Sequence, residues 1–156
     1  MIPRLHLVTD DVVLRAPAFP ERARTVLTAF APVIALHLRG HGLGGGELFR
    51  LAEPLVAVAG GAPVLVNDRV DVALAAHAGG AQLGRLSIPV AAARRILGGE
   101  ARIGYSAHAA DEAEAAAREG ADFVVLGTIY ATPSHPGEPG AGVERIREMA
   151  PRVNVP

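Results

Sequence analysis

Short runs of β-branched and aliphatic residues recur along this chain at a spacing of roughly 20 to 30 residues, each followed by a longer stretch with helical periodicity. That rhythm constrains the fold more than any other feature. The strands it predicts are Arg4–Thr9, Val33–Leu38, Pro63–Asn67, Ala81–Leu83, Arg102–Ser106 and Phe123–Leu126. The helices are Glu21–Phe30, Gly46–Ala59, Asp71–Ala78, Val90–Leu97, Asp111–Glu119 and Val143–Ala150. In the fifth of these, Ala113, Ala116 and Ala117 share a face, Glu114 and Arg118 pair four apart on the surface, and Gly120 is the expected C-terminal cap. Consecutive βα units without a change in composition predict a parallel sheet of the α/β class, either doubly wound or part of a (β/α)₈ barrel. A complete barrel takes roughly 200 residues or more, and this chain reaches Val153–Pro156 where a seventh strand would start. The expectation is one TIM-type barrel domain over residues 1–156, incomplete after six βα units. Its open edges predict a homo-oligomer or a complementing chain.

The polar residues that interrupt this pattern gather at the C-terminal ends of strands, where parallel α/β folds place their chemistry. "HLRGH" sets His37, Arg39 and His41 two apart, so continued strand geometry would put all three on one face as a cationic mouth for phosphate or carboxylate. "VNDRVD" admits two readings. Asn67 or Asp68 caps the next helix, with Asp71 in its first turn, or Asp68 binds a divalent cation and Asn67 a phosphate. Ser106, at the tip of the fifth strand, is a candidate phosphate donor, and His108 reads as a cap or packing residue. The loop Thr128–Gly142 holds three Pro and three Gly and brings Thr132, Ser134 and His135 together, hydroxyls beside a titratable base. His6 reads as a partnered core histidine, and His77 as a dipole-stabilised helix end.

Composition narrows the chemistry further. Without Cys there is no thiolate nucleophile, disulfide or thiolate metal site. All 15 residues counted as Lys or Arg are Arg, which excludes Schiff-base catalysis through a lysine amine. A formal net charge of -1 with no basic stripe argues against nucleic acid. The longest charge-free run, Phe123–Gly137, carries two Pro and two Gly and is too short to span a bilayer. No signal-peptide pattern opens the chain, and a cytoplasmic location is the expectation.

The ordered segments "LHLVTD", "LHLRGH", "VLVNDRVDVALA", "AQLG", "IGYSAH", "EGADFVVLGTIYATPSHPG" and "GVERIRE" resemble the thiamine-phosphate synthase / thiazole tautomerase (TenI) family across essentially the whole chain. The resemblance implies a (β/α)₈ barrel acting in thiamine biosynthesis on a small phosphorylated pyrimidine or thiazole. In synthases the pair matching Asn67 and Asp68 binds the substrate pyrophosphate and its Mg²⁺. The synthase motif Gln-x-Arg-x-Lys is met here by His37, Arg39 and His41, so its lysine is absent. Where synthases have His-x-Gly-Gln-Glu and then a second Mg²⁺-binding Asp, this chain has Gln82, Arg85, Leu86 and Ser87 at the His, Gln, Glu and Asp. His135 stands at the position of a further synthase lysine, whereas the tautomerase histidine is matched by Thr128.

Three weakened charge-neutralising positions point first to a metal-independent, tautomerase-like isomerase of a thiazole carboxylate phosphate, using no cofactor. There His135, with His41 second, moves the proton. His37, Arg39, Asn67, Ser106, Thr132 and Ser134 hold the substrate and its phosphate. The alternative is the synthase, a transferase coupling hydroxymethylpyrimidine pyrophosphate to thiazole phosphate, with Mg²⁺ on Asp68. The third possibility is a non-catalytic fragment or partner-dependent half of a barrel, because in this family the thiazole phosphate is held after strands seven and eight.

Overall fold

The computed structural model describes residues 1–132, 137 and 139–156. Its strands are β1 (Leu5–Val8), β2 (Ile34–Leu38), β3 (Val64–Asn67), β4 (Gly80–Leu83), β5 (Arg102–Ala107) and β6 (Phe123–Leu126). Between them lie the helices α1 (Asp11–Arg15), α2 (Phe19–Phe30), α3 (Gly45–Val58), α4 (Val70–Ala75), α5 (Val90–Leu97) and α6 (Ala110–Arg118), and α7 (Glu144–Met149) follows β6. Every neighbouring pair of strands is parallel, and spatial order equals chain order from β1 to β6. A doubly wound sheet reverses its order at a switch point, whereas barrel winding does not. The arc is therefore six βα units of TIM-type barrel architecture. The short α1 is the one helix that the periodicity does not predict. Its signal lies in Asp10, whose side chain accepts a hydrogen bond from the Val13 N–H as an N-cap.

Strand alternation divides the buried residues into two layers. Ile34, Leu36 and Leu38 of β2, Val64 and Val66 of β3, Ala81 and Leu83 of β4 and Ile103 of β5 pack with Leu27, Leu48, Ala52, Leu55 and Ala93 of the helices. The opposite faces carry His6, His37, Leu65, Gln82, Gly104 and Phe123 toward the inside of the arc. Of these, Gln82, Gly104 and Phe123 sit side by side in register across β4, β5 and β6. A Cβ on Gly104 would collide with both the Gln82 amide oxygen and the Phe123 ring, so glycine is what lets these two side chains occupy the interior together. At the edge of β6 the Val124 N–H donates to the Pro156 carbonyl at 2.8 Å. Among the described residues, no helix is long and apolar enough to cross a membrane.

The units are tied together near the N-terminal ends of β5 and β6 by one guanidinium. Arg94 donates to the carbonyls of Gly98 (3.0 Å), Ala101 (2.5 Å) and Gly120 (2.9 Å) and to Asp122 Oδ2 (2.6 Å). The same carboxylate oxygen accepts the Ile103 N–H at 2.7 Å. A planar five-donor group can satisfy several otherwise unpaired loop carbonyls at once, which a lysine could not match in geometry.

Of the two interior histidines, His37 departs from the sequence expectation. His37 is 2% exposed, and its Nε2 lies 2.8 Å from His6 Nδ1, while His6 Nε2 lies 3.0 Å from the Pro3 carbonyl. A carbonyl only accepts, so His6 Nε2 carries the hydrogen. In the neutral pair His6 Nδ1 then accepts from His37 Nε2–H. Both rings stand edge-on or tilted to one another and to Phe123, at centroid distances of 5.0, 5.2 and 6.3 Å. Burial first, and the neighbouring His6 second, lower the His37 pKa from 6.5 to about 4. His37 is thus a neutral core group, not part of a cationic mouth. The reading of His6 as a partnered core histidine holds.

Two stability measurements follow. Arg94→Met is expected to lower the unfolding free energy in urea by about 2–3 kcal/mol, since it strands the loop carbonyls and the Asp122 carboxylate. For His37, the unfolded chain takes up a proton near pH 6.5 that the native state refuses until about pH 4. Its contribution is therefore complete above pH 6.5 and is lost as the pH falls toward 4, by up to about 3 kcal/mol. Urea titrations from pH 7.5 to 4.5 on the native chain and on His37→Gln are expected to show a shallower loss in the variant.

Candidate functional site

The rim at the C-terminal ends of the strands is set first by Thr9. Its side chain accepts the Arg39 N–H at 2.9 Å and faces the carbonyls of His37 (3.2 Å) and Arg39 (3.1 Å). This clasp holds Arg39 one step beyond the Leu38–Val66 pair, hence next to Asn67. Among the described residues the Arg39 guanidinium has no hydrogen bond or ion pair, and it is half-buried. Strand geometry stops at Leu38, so His41 does not share its face. Asp11 of α1 accepts the N–H groups of His41 (3.2 Å) and Gly42 (2.8 Å), and the turn leaves the His41 ring exposed. Of the three residues expected to form a mouth, only Arg39 is placed at the rim as a free cation.

At the end of β3 the two readings of "VNDRVD" separate. Arg69 is the N-cap of α4, and no side chain forms a cap hydrogen bond there, so neither Asn67 nor Asp68 is used as a helix cap. Asp71 lies in the first turn as expected. Its carboxylate takes Arg69 Nε at 2.8 Å and Nη2 at 2.5 Å, and that hydrogen bond holds its pKa below the ordinary value. Asp68 has φ 62°, in the left-handed region that side-chain-bearing residues seldom occupy. Its backbone N–H donates to the Gln82 carbonyl at 2.9 Å, and its exposed carboxylate accepts the Ser87 hydroxyl at 2.5 Å. Ser87 Oγ in turn accepts the Gly84 N–H at 2.8 Å, so the loop after β4 is folded around this contact.

Asn67 pairs in register with Gln82, and its Oδ1 is a buried acceptor with no hydrogen-bond partner among the described residues. Ser106, half-buried on β5, accepts Gln82 Nε2 at 2.9 Å. Arg39, Asn67, Asp68 and Ser106 therefore converge on one rim. Thr132 is half-buried on the loop after β6, whereas the expected Ser134 and His135 lie outside the described residues. Sequence reading missed Thr9 and Gln82. Both are polar side chains buried at 5% and 4% exposure; an isolated polar residue is the only trace Thr9 leaves in the sequence, whereas Gln82 stands at the synthase histidine position and was given no role there.

The donor set is oxygen-rich and suits a hard cation. The Asp68 carboxylate and the unpartnered Asn67 Oδ1 are adjacent in sequence. Among the described residues there is no group of three or more His, Cys, Asp or Glu side chains that could cage a metal. This fits Mg²⁺ held by one carboxylate and otherwise by substrate phosphates and water. The Ser87 hydroxyl, spent on Asp68, adds no charge.

A family model described as thiamine monophosphate synthase matches residues 5–156. The thiamine-phosphate synthase of Caldanaerobacter subterraneus subsp. tengcongensis is 32% identical, over 97% of this chain and 71% of its own length. The putative thiamine-phosphate synthase 2 of Aquifex aeolicus is 33% identical, over 99% of this chain and 82% of its own. Among solved structures, the thiamine phosphate pyrophosphorylase from Pyrococcus furiosus superposes with a TM-score of 0.77 at 28% identity, covering 97% of this chain and 72% of that one. Fold, rim chemistry and these similarities agree: the chain belongs to the thiamine monophosphate synthase family.

Proposed function

We propose that the rim serves the synthase reaction, in which a hydroxymethylpyrimidine pyrophosphate is coupled to a thiazole phosphate and pyrophosphate departs. The observation that carries this reading is Asp68, lifted out of the helix cap into a left-handed turn with its carboxylate exposed, directly after Asn67, whose Oδ1 has no hydrogen-bond partner among the described residues. The isomerase reading began from the three weakened charge-neutralising positions, and its proton-transfer candidates were His135, which lies outside the described residues, and His41, which is exposed on the loop after β2. The names carried by the relatives also favour the synthase over the isomerase.

In this reading Asp68 and Asn67 Oδ1 hold Mg²⁺. Bound there, the cation neutralises charge building on the departing pyrophosphate. Arg39 supplies a guanidinium with an empty donor fork for phosphate oxygens. Ser106 donates a neutral hydrogen bond to the same group. Ser87 occupies Asp68 Oδ1, so Mg²⁺ would compete with that hydroxyl or take the other carboxylate oxygen. The consequence is a weak metal site that depends on the pyrophosphate to be completed.

Calorimetric titration of the pyrimidine pyrophosphate, with and without Mg²⁺, checks this. Binding is expected to require Mg²⁺, and Asp68→Asn is expected to weaken it by about tenfold or more. Ser87→Asp is expected to lower the Mg²⁺ concentration needed, because a second carboxylate joins the site. Conversion of a thiazole carboxylate phosphate without metal, coupled with Mg²⁺-independent binding, would favour the isomerase instead.

A further inference from the structure

Gln82 is a buried polar side chain to which the proposed reaction assigns no task. It lies in the middle of the interior, 4% exposed, flanked in register by Asn67 on β3 and Gly104 on β5. Its Nε2 donates to Ser106 Oγ at 2.9 Å, while its Oε1 is buried with no hydrogen-bond partner among the described residues and rests against Gly104. The direction of this amide is decided by what the opposite one would bury. Turned over, it would set two N–H donors against Gly104 and the Phe123 ring, which offers at best a weak π acceptor. An orphaned carbonyl oxygen is the smaller loss.

That direction has a consequence for Ser106. A hydroxyl has one proton and two lone pairs, and an amide NH₂ can only donate. One Ser106 lone pair is therefore taken by Gln82, and the hydroxyl proton is left over. Among the described residues Ser106 Oγ has no other hydrogen-bond partner, so the proton is free for a ligand. Ser106 itself follows Tyr105 near the C-terminal end of β5, on the rim shared with Arg39 and Asn67.

We propose that Gln82 is a positioning residue, which holds the Ser106 hydroxyl from below so that its proton is preset to donate to a phosphate oxygen at the rim. The glycine at 104 belongs to the same device, since a Cβ there would strike the Gln82 amide and the Phe123 ring. The inference rests on the reading of the rim as a pyrophosphate site and adds the group that orients one of its donors. Gln82 touches no substrate in this scheme. Its effect passes entirely through Ser106, and this makes it separable from a packing role.

The test is a double-mutant cycle read by calorimetric titration of inorganic pyrophosphate with Mg²⁺, using the native chain, Ser106→Ala, Gln82→Met and the double variant. Ser106→Ala is expected to weaken binding about tenfold. Gln82→Met is expected to weaken it about fivefold when Ser106 is present and not at all when it is absent. Equal losses in both backgrounds, or no loss in either, would overturn the positioning role while leaving the pyrophosphate site intact. Unchanged binding in Ser106→Ala would instead remove Ser106 from the site, and Gln82 with it. Gln82→Leu takes the place of the methionine variant if that chain does not fold, and carries the same expectations.

Discussion

Parallel strands buried on both faces are the constraint on which everything else in this protein depends. A strand that packs helices on one side and faces the barrel interior on the other has no position for a polar residue except in the interior or past its end. Because all six strands run the same way, their ends lie on one side, and polar residues displaced from the strands are delivered to one rim. Arg39, Asn67, Asp68 and Ser106 come from three different βα units. They meet because the register of β2 with β3, and of β3 through β4 to β5, is carried without a slip by apolar pairs such as Leu38–Val66 and Ala81–Ile103.

The interior is polar in an unusual degree for a packed layer, and each polar group is managed differently. His6 and His37 satisfy one another and end on the Pro3 carbonyl, at the cost of a pH-sensitive core. Gln82 spends its donor on Ser106 and leaves its oxygen unpaired. Gly104 provides the room in which a glutamine and a phenylalanine can lie side by side. These are coupled solutions: the barrel layer below the rim is the support on which the rim's donors are aimed.

How much of this was legible beforehand depends on the range of the interactions involved. The βα rhythm, the strand identities and Asp71 in its first turn are local, set by side-chain periodicity within some ten residues, and they stand in the structure as read. The expected face of His37, Arg39 and His41 failed because strand length is a tertiary quantity. Asp11, 30 residues away from His41 in sequence, pulls that loop out of extension through two backbone hydrogen bonds. The helix-cap reading of Asn67 and Asp68 was equally good on local chemistry. It lost to a contact with Ser87, 19 residues onward. Thr9 and Gln82 were given no role because a buried polar residue declares its task only when its partner, on another strand, is known.

The sequence by itself determined the architecture, the residue types at the strand ends and the chemistry this chain lacks. Periodicity and the absence of Lys and Cys need no three-dimensional information. Only the tertiary structure decided which of the polar residues are free to act. Among the described residues Arg39 keeps an unpaired guanidinium, and Asp68 has an exposed carboxylate. His37 is neutral in the core, and Ser106 has its hydroxyl turned by a glutamine from the neighbouring strand. The reason is physical: whether a polar group is available depends on what burial has already paired it with, and those partners come from other strands and loops of the fold.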